Sequence, residues 1–421
     1  MSLFEQFPIL FGNFWLVFRE VWWFVLPFLL LSFLLNLWLF YLKLRTLQQM
    51  SWSLLEIQVP REILRTPKAM EQIFASLAAI WPAINFYEKW WKGKVVEWAS
   101  FEMVGVSSKV NFFIRIPTPY RNLIEAAIYA QYPGAEIKEI MDDYTSFLPE
   151  VLPNRTYDTF STNFMLARED AYPIRTYEYF EDIEEERRLD PLAAVTEVMS
   201  RLKEGEFIWI QILVQPTMED WKKKADDVIN ELIGEKKPVI RNIADILFDS
   251  FTKIIGAPFT SSEAVPAKVE KKQETPKNLI QQLTPGKKDV LIAIEEKTAK
   301  IGFRTNIRFI YIDNRASFTR SNVSAIVGAL QQFNTKNLNA LKPDPKTFSA
   351  VKGLFKERRS FIRKRRLYYL YKLRAFSAKS FIMNTEELAT IYHFPSSVIV
   401  APRLERAEAK KGGPPANLPI G

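Results

Sequence analysis

The sequence predicts an α+β protein hung from one N-terminal transmembrane helix. Three observations predict it: a charge-free apolar run from Val21 to Leu42, a succession of strand, helix, strand, strand, helix, strand that is read twice behind it, and a strongly basic helix towards the C-terminus. The chain has 421 residues, 25% of them charged, and a mean hydropathy of −0.10, so it holds one to three globular cores and is not a polytopic membrane protein. Fifty-seven Lys and Arg against 48 Asp and Glu favour anionic partners, nucleic acid or lipid headgroups, without choosing between them. There is no cysteine and a single histidine, His393. That inventory removes thiol nucleophiles, disulfides, iron–sulfur ligation and multi-histidine metal sites, and a Ser-His-Asp triad would have to run through one imidazole. No cofactor and no metal are expected.

The run from Val21 to Leu42 is long enough to span a bilayer, about 22 residues at roughly 1.5 Å each. Trp22, Trp23, Trp38 and Tyr41 lie near its ends, where amphipathic rings settle at headgroup level, and Pro27 bends such a helix without breaking it. A cleavable leader would be shorter and end in small residues, and none follow Tyr41. Lys43, Arg45, Arg61, Arg65 and Lys68 follow the span, whereas Glu5, Arg19 and Glu20 precede it. The positive-inside rule therefore expects a single-pass inner-membrane protein with its N-terminus outside and its bulk in the cytoplasm. Phe7 to Phe18 is too short to span, and either lies along the outer interface or extends the helix. The anchor is residues 1–45.

A first module is expected over residues 46–150. Trp52 to Val59 alternates as a half-buried strand, Thr66-Pro67 caps a helix with its apolar face on Met70, Ile73, Phe74 and Leu77, and Val95–Val106 and Lys109–Ile116 form strands around Ser107-Ser108. A helix from Thr118-Pro119 through Ala130 and a strand over Ala135–Ile140 complete a βαββαβ order, the split βαβ or ferredoxin-like unit. A second such module is expected over 160–400: strand Tyr172–Phe180, a helix opened by Asp190-Pro191, strand Glu206–Val214, an insertion over 216–300, strand Gly302–Asp313 and helix Asn322–Phe333. The insertion holds amphipathic stretches at Met218–Ile233 and Val239–Ile255 and a flexible linker at 257–285; a basic helix follows over 352–376 and an extended tail over 401–421.

Chemistry is sparse. Gly93-Lys94 and Gly286-Lys287 lack the remaining residues of a phosphate-binding glycine loop, so no ATP site of that kind is expected. The acidic run Glu181–Glu186 reads as a solvated helix start, and His393, among aromatics and before Pro395, as a hydrogen-bonded structural residue. The strongest signal is Lys356–Arg374, with nine basic residues and one acid. Arg358, Arg359, Arg363, Lys364, Arg365, Arg366, Lys372 and Arg374 are candidates for phosphate or headgroup contacts, interleaved with Phe361, Tyr368, Tyr369 and Tyr371; a merely solvated basic helix is the alternative.

The phrases Met383–Pro395, Val398–Pro402 and Pro414–Pro419, with Leu54–Pro67, Tyr129–Pro133 and Ile307–Ile312, resemble the membrane-anchor and pre-motor region of conjugation-type DNA-translocating ATPases, the type IV secretion coupling-protein and TraG/HerA-like group. In those relatives a Walker A loop follows the Asn-Leu-Pro phrase, whereas here only Ile420 and Gly421 follow it. The resemblance implies a non-catalytic anchoring and docking platform for a separately encoded RecA-like ATPase that moves DNA or protein, with Asn384, Glu386, Glu387, Tyr392 and His393 in the docking segment. Its partners would be the bilayer, that motor in trans and DNA, and an oligomer is compatible with it. The rival is a membrane-tethered nucleic-acid-binding module without a motor; a hydrolase without a recognisable motif is the remote third.

Overall fold

The computed structural model describes residues 3–60, 65–80, 85–180, 190–217, 220–233, 283–377 and 379–395. Helix α1 runs unbroken over Leu3–Gln49, passing through Phe7–Phe18 and Pro27, so the first apolar stretch extends the helix. Trp22–Gln49, whose most apolar 18-residue window has a mean hydropathy of 2.1, is the stretch among the described residues long and apolar enough to cross a membrane. Of its described side chains from Trp22 to Tyr41, all but Leu39 are solvent-facing in the isolated chain, as expected of a helix that no protein surface covers.

Both predicted successions lie in one antiparallel sheet. The first half comprises β1 (Trp52–Gln58), α2 (Lys68–Ser76), α3 (Phe86–Trp90), β2 (Ala99–Val106), β3 (Lys109–Pro117), α4 (Arg121–Gln131) and β4 (Glu136–Glu139). The second comprises β5 (Tyr157–Leu166), α5 (Ala193–Ser200), β6 (Phe207–Pro216), α6 (Asp220–Ile233), α7 (Pro285–Ala299), β7 (Gly302–Asn314), α8 (Ser321–Leu330) and β8 (Leu341–Pro343). The chain continues through α9 (Lys356–Lys372), β9 (Phe381–Asn384) and α10 (Thr385–Ile391). The sheet order is β4-β1-β3-β2-β6-β7-β5-β8, with β9 added on β7. In each half the strands stand fourth, first, third, second. The halves meet where equivalent strands pair: β2 and β6 run antiparallel from Ala99↔Val214 to Val106↔Phe207.

Local chemistry accounts for the elements. Val106 pairs with Lys109, so β2 and β3 are joined by a two-residue turn, and Ser107 and Ser108 take the positive φ values (47° and 68°) that such a turn demands. The Ser108 hydroxyl donates to the Leu202 carbonyl at 2.6 Å, giving one of these strained residues a tertiary anchor. Inward faces of β1, β2, β3, β6 and β7 and the stripes of α2, α4, α5, α8 and α10 form one core on one side of the sheet, with Phe74, Phe101, Ile114, Val195, Ile210, Phe309, Ile326 and Leu388 fully or almost fully buried. The opposite side is covered by residues 144–152 and α9 through Tyr144, Leu148, Leu152, Tyr368 and Tyr371.

Two expectations are corrected. The first strand of the second half is β5, over Tyr157–Leu166, and residues 172–180 hold only a short 3-10 turn at Tyr177–Tyr179. Tyr157–Leu166 lacks clean apolar alternation because its second face carries Thr159 and Ser161, polar yet buried, with the Ser161 N–H donating to the Ser349 hydroxyl at 2.9 Å. Residues 172–180 look strand-like because Ile174 and Tyr177 are buried, but the Ile174 and Tyr177 amides donate to the side chains of Glu387 and Thr390, not to a neighbouring strand. In the insertion, α6 and α7 pack through Ala225, Val228 and Ile294 beside Ala171; α7 was not foreseen. Val239–Ile255, Glu181–Glu186, residues 401–421 and all but the last three residues of the 257–285 linker lie outside the described residues.

Helix α1 is joined to the body at a tight contact. Leu42 is buried, and a Cβ placed on Gly93 would sit 2.5 Å from the Leu42 Cβ. Gly93 also holds φ +64°, and the Thr46 hydroxyl donates to the Lys92 carbonyl at 3.0 Å. A Gly93→Val substitution therefore meets both steric exclusion and a left-handed backbone, the latter alone costing about 1–2 kcal/mol. It is expected to lower the unfolding midpoint of the full-length chain and to speed proteolytic cleavage between residues 43 and 51; an unchanged midpoint and cleavage rate would contradict the contact.

Candidate functional site

The basic segment forms α9, a 17-residue helix without Gly or Pro. It buries only Leu367, Tyr368 and Tyr371, all in its C-terminal half. Trp209 on β6 stacks against Tyr371 (ring centroids 5.3 Å apart) and Tyr368, while Tyr144 meets Trp209 edge-on. The helix ends at Arg374, a non-glycine residue at φ 49°, with the Ala375 N–H donating to the Leu370 carbonyl at 3.1 Å in a Schellman closure. Glycine is the usual residue there. Arginine is placed there because the turn drives its guanidinium into the sheet.

Arg374 is almost fully buried and grips Glu102 of β2 with two parallel bonds, Nε to Oε1 at 2.9 Å and Nη2 to Oε2 at 3.0 Å, and also pairs with Asp143. The Tyr144 hydroxyl donates to Glu102 at 2.7 Å and Gln211 Nε2 donates to it at 3.0 Å. Arg308 of β7 donates to Gln211 at 2.9 Å and to the Leu370 and Ala375 carbonyls, placing a cation at the negative end of α9. Burial by itself would raise the Glu102 carboxyl, but the charge and bonds of Arg374, with those of Ser100 and Tyr144, hold it below its ordinary value. Asp143 is held down in the same way, its burial outweighed by Arg374 and the Thr145 amide. Burial also pulls Arg308 and Arg115 down to about 10.

The nominated cations thus separate. Arg374 is an internal structural residue and offers nothing to a phosphate or headgroup. Arg363 donates to the Pro345 and Phe348 carbonyls at 2.9 and 2.7 Å, Lys364 pairs with Asp158 at 2.7 Å, and Lys372 lies half-buried over the Tyr368 ring. Arg358, Arg359, Arg365 and Arg366 face solvent, beside Phe355, Ile362 and Tyr369, which are 70%, 53% and 62% exposed. A groove flanks α9 on each side. One lies against β5, Asp344, Lys346, Thr347, Ser377 and residues 379–381; the other is broader, near Arg315, Arg320 and Lys352. The second groove was invisible to sequence reasoning, because its cations come from three separate stretches of chain.

The docking candidates are inside. Asn384 and Glu387 form a reciprocal capping box on α10, and Glu387 also pairs with Lys297 of α7 at 3.0 Å, both side chains fully buried. Burial raises the Glu387 carboxyl despite Lys297. Glu386 pairs with Lys300 at 2.7 Å, Tyr392 packs edge-on to Phe101 and Phe112, and His393 bonds the Ala389 carbonyl and Asp190. Every residue of that short helix is buried, and it staples both halves of the body. Trp22, Trp23, Trp38, Tyr41 and Pro27 lie along the exposed part of α1.

A family described as a domain of unknown function, DUF8128, matches residues 43–407. The chain belongs to the DUF8128 family. No curated protein matches it. The DUF8128 region begins at Lys43, just past the apolar run, and takes in both halves of the sheet, α9 and α10.

Replacing Glu102 by Gln leaves Arg374 buried without a full counter-charge, a change expected to cost about 3–5 kcal/mol. Urea unfolding of the full-length chain measures it. Because Glu102 and Asp143 sit below their ordinary values of 4.5 and 3.8, their contribution is complete above those values and is lost as pH falls through the depressed ones. Stability of the parent chain is therefore expected to drop below about pH 4, and the Glu102→Gln variant to drop less steeply there; equal slopes would contradict the assignment.

Proposed function

We propose that this protein is a non-catalytic, membrane-moored platform on which a separately encoded RecA-like translocating ATPase of a type IV secretion or conjugation-like system is mounted. The observation that carries the reading is the continuity of anchor and body. Helix α1 runs to Gln49, closes on Gly93 through Leu42, and leads into β1 within three residues, so the bilayer span and the sheet are mechanically one piece. A bound motor would inherit a fixed height and orientation from such a mount. Lys43 and Arg45 at the end of the span support a cytoplasmic body below an inner membrane, with the N-terminus outside.

The strand order fourth, first, third, second in each half supports reading the body as two ferredoxin-like units joined through their second strands. The link to the secretion motors rests on the sequence phrases over Leu54–Pro67 and Met383–Pro395. With the latter buried, a partner would meet surfaces other than that segment, and the outward face of α9 is the strongest of these. A second reading, a tethered nucleic-acid-binding module working alone, is favoured by the same face, where Arg358, Arg359, Arg365 and Arg366 alternate with exposed aromatics.

Solubilising membranes and identifying what co-purifies with the intact chain tests the platform. A Walker-type ATPase without its own anchor is expected, in amounts reduced by the quadruple charge reversal of Arg358, Arg359, Arg365 and Arg366, with the purified chain itself turning over no nucleotide. Nucleotide hydrolysis by the purified chain, or its recovery in the aqueous fraction, would contradict the reading. Binding of nucleic acid without any ATPase, weakening steeply with salt, would favour the second.

A further inference from the structure

Helix α3 carries aromatic surface that the core does not use. Phe86, Tyr87 and Trp91 are each more than half exposed, and beyond α1 Trp91 is the only exposed tryptophan among the described residues. Phe86 meets the half-buried Trp90 with ring centroids 5.6 Å apart. The short helix is nevertheless well held: Asn85 and Glu88 form a reciprocal capping box, and Glu88 pairs with Lys94 at 3.3 Å. Lys92 stays exposed, its ammonium 5.9 Å from the centre of the Tyr87 ring, as a cation set among the aromatics. Large apolar side chains grouped on a surface in this way mark a contact with something other than water.

The contact with α1 sets the height of this patch. Gly93 closes on Leu42, the last residue of the charge-free run, and the Thr46 hydroxyl donates to the Lys92 carbonyl at 3.0 Å. Lys92 and Gly93 therefore lie alongside residues 42–46 of α1, the first turn past the apolar run, about 6 Å of helix at roughly 1.5 Å per residue. The headgroup layer on each face of a bilayer is of the same depth, about 5–8 Å. Because α3 has only five residues, Phe86 at its far end stands no more than about 8 Å from Trp91. Lys43 and Arg45, exposed on α1 at the same level, bring two more cations to the place where anionic headgroups would lie.

We propose that α3 and residues 91–93 form a second membrane contact, lying in the headgroup layer of the bilayer that α1 crosses, with Phe86, Tyr87 and Trp91 at the acyl boundary and Lys92 on lipid phosphates. The proposal rests on the reading of α1 as a membrane span and stands apart from the motor mount. Tryptophan and tyrosine settle at that depth because the ring is apolar while its N–H or O–H still reaches water, and a lysine beside them extends its ammonium to the phosphates. Height is what selects lipid over a protein partner, since the patch sits where the apolar run of α1 gives way to Lys43 and Arg45. A single spanning helix fixes how far the body stands from the membrane but leaves its tilt open. A second contact beside the helix fixes which face the body turns to the bilayer.

The chain has no cysteine, so a single introduced thiol carries a spin label to one chosen position. Phe86→Cys, Trp91→Cys, Leu30→Cys within the apolar run, and Lys109→Cys are labelled in the full-length chain in nanodiscs of mixed phosphatidylcholine and phosphatidylglycerol. Collisions with oxygen, which concentrates in lipid, are compared with collisions with a nickel chelate, which stays in water. Lys109 is the remote reference: Pro117, at the other end of β3, pairs with Trp52 just past α1, and the strand between them spans about 26 Å at roughly 3.3 Å per residue. Labels at 86 and 91 are expected within about 10 Å of the phosphate level, with an oxygen preference between those at 30 and 109. Adding Lys92→Glu is expected to shift the label at 86 towards the value at 109 in these anionic discs, and an unchanged depth would overturn the lysine's part. Labels at 86 and 91 that match 109, while 30 reports lipid, would overturn the proposal and leave the span standing. Shielding of 86 and 91 from both reagents would also overturn it, because protein would then cover the patch. A label at 30 in water would overturn the span itself and the proposal with it.

Discussion

The body leans on the seam between β2 and β6 and on the buried Glu102–Arg374 pair that lies across it. Each half alone would leave its second strand as a long, hydrophobic edge, a surface prone to pair with whatever strand it meets. Pairing the two edges removes both at once and creates a continuous sheet. The ion pair is the less obvious part. Removing two charges from water is expensive, and the pair persists because Arg374 meets Glu102 through two bonds while Tyr144, Gln211 and Ser100 satisfy the remaining acceptor capacity. Such a pair contributes more to uniqueness of arrangement than to net stability: it lets α9 close at one place and in one direction.

That closure explains how one helix presents two characters. The C-terminal end of α9 is held by stacked rings and by Arg308 at its carbonyl end, so Arg374, just beyond it, becomes internal. The N-terminal half overhangs the sheet, with Lys364 on Asp158 as a tether, and its arginines remain outside. Lys364 meets β5 opposite Asp313, at the far end of β7 from Thr305, and Thr305 is level with the strand ends nearest Trp98 and Trp52. Eight residues of strand separate the two levels, about 26 Å at roughly 3.3 Å per residue. The start of α9, with Arg358 beside Asp158 and Arg315, therefore stands at the end of the strands remote from where α1 enters the sheet. On the C-terminal side, β9 and α10 cross between halves: Glu387 reaches Lys297 and Ile174 of the second half, and Tyr392 the phenylalanines of the first.

The strand order of the first half was legible because its signals are local, although α3 was not foreseen and β2 begins at Ala99, four residues later than expected. Thr66-Pro67 announces α2, Ser107-Ser108 a two-residue turn, and the alternation of Leu55 and Ile57 a half-buried strand. The second half was legible in order but not at its start. β5 buries hydroxyl side chains on one face, which erases the period-two contrast that marks a strand, and its hydroxyl partners come from residues 347–349, nearly two hundred positions away. The basic stripe was legible as charge, yet nothing local in Arg374 shows that it is buried, since its partners Glu102 and Asp143 are brought to it only by the sheet. Glu386 and Glu387 likewise look like a polar surface helix until Lys300 and Lys297 arrive from elsewhere in the chain, whereas His393 is the hydrogen-bonded residue that its aromatic neighbours suggest.

If the two halves are one body through this seam, its amides must open last. Hydrogen exchange on the full-length chain in nanodiscs measures this most directly. The account requires β2 and β6 to be the slowest-exchanging strands and to open together, at the free energy of global unfolding. Faster opening of β6 and β7 as a unit, with β2 and β3 still protected, would show two independently folding halves and contradict it.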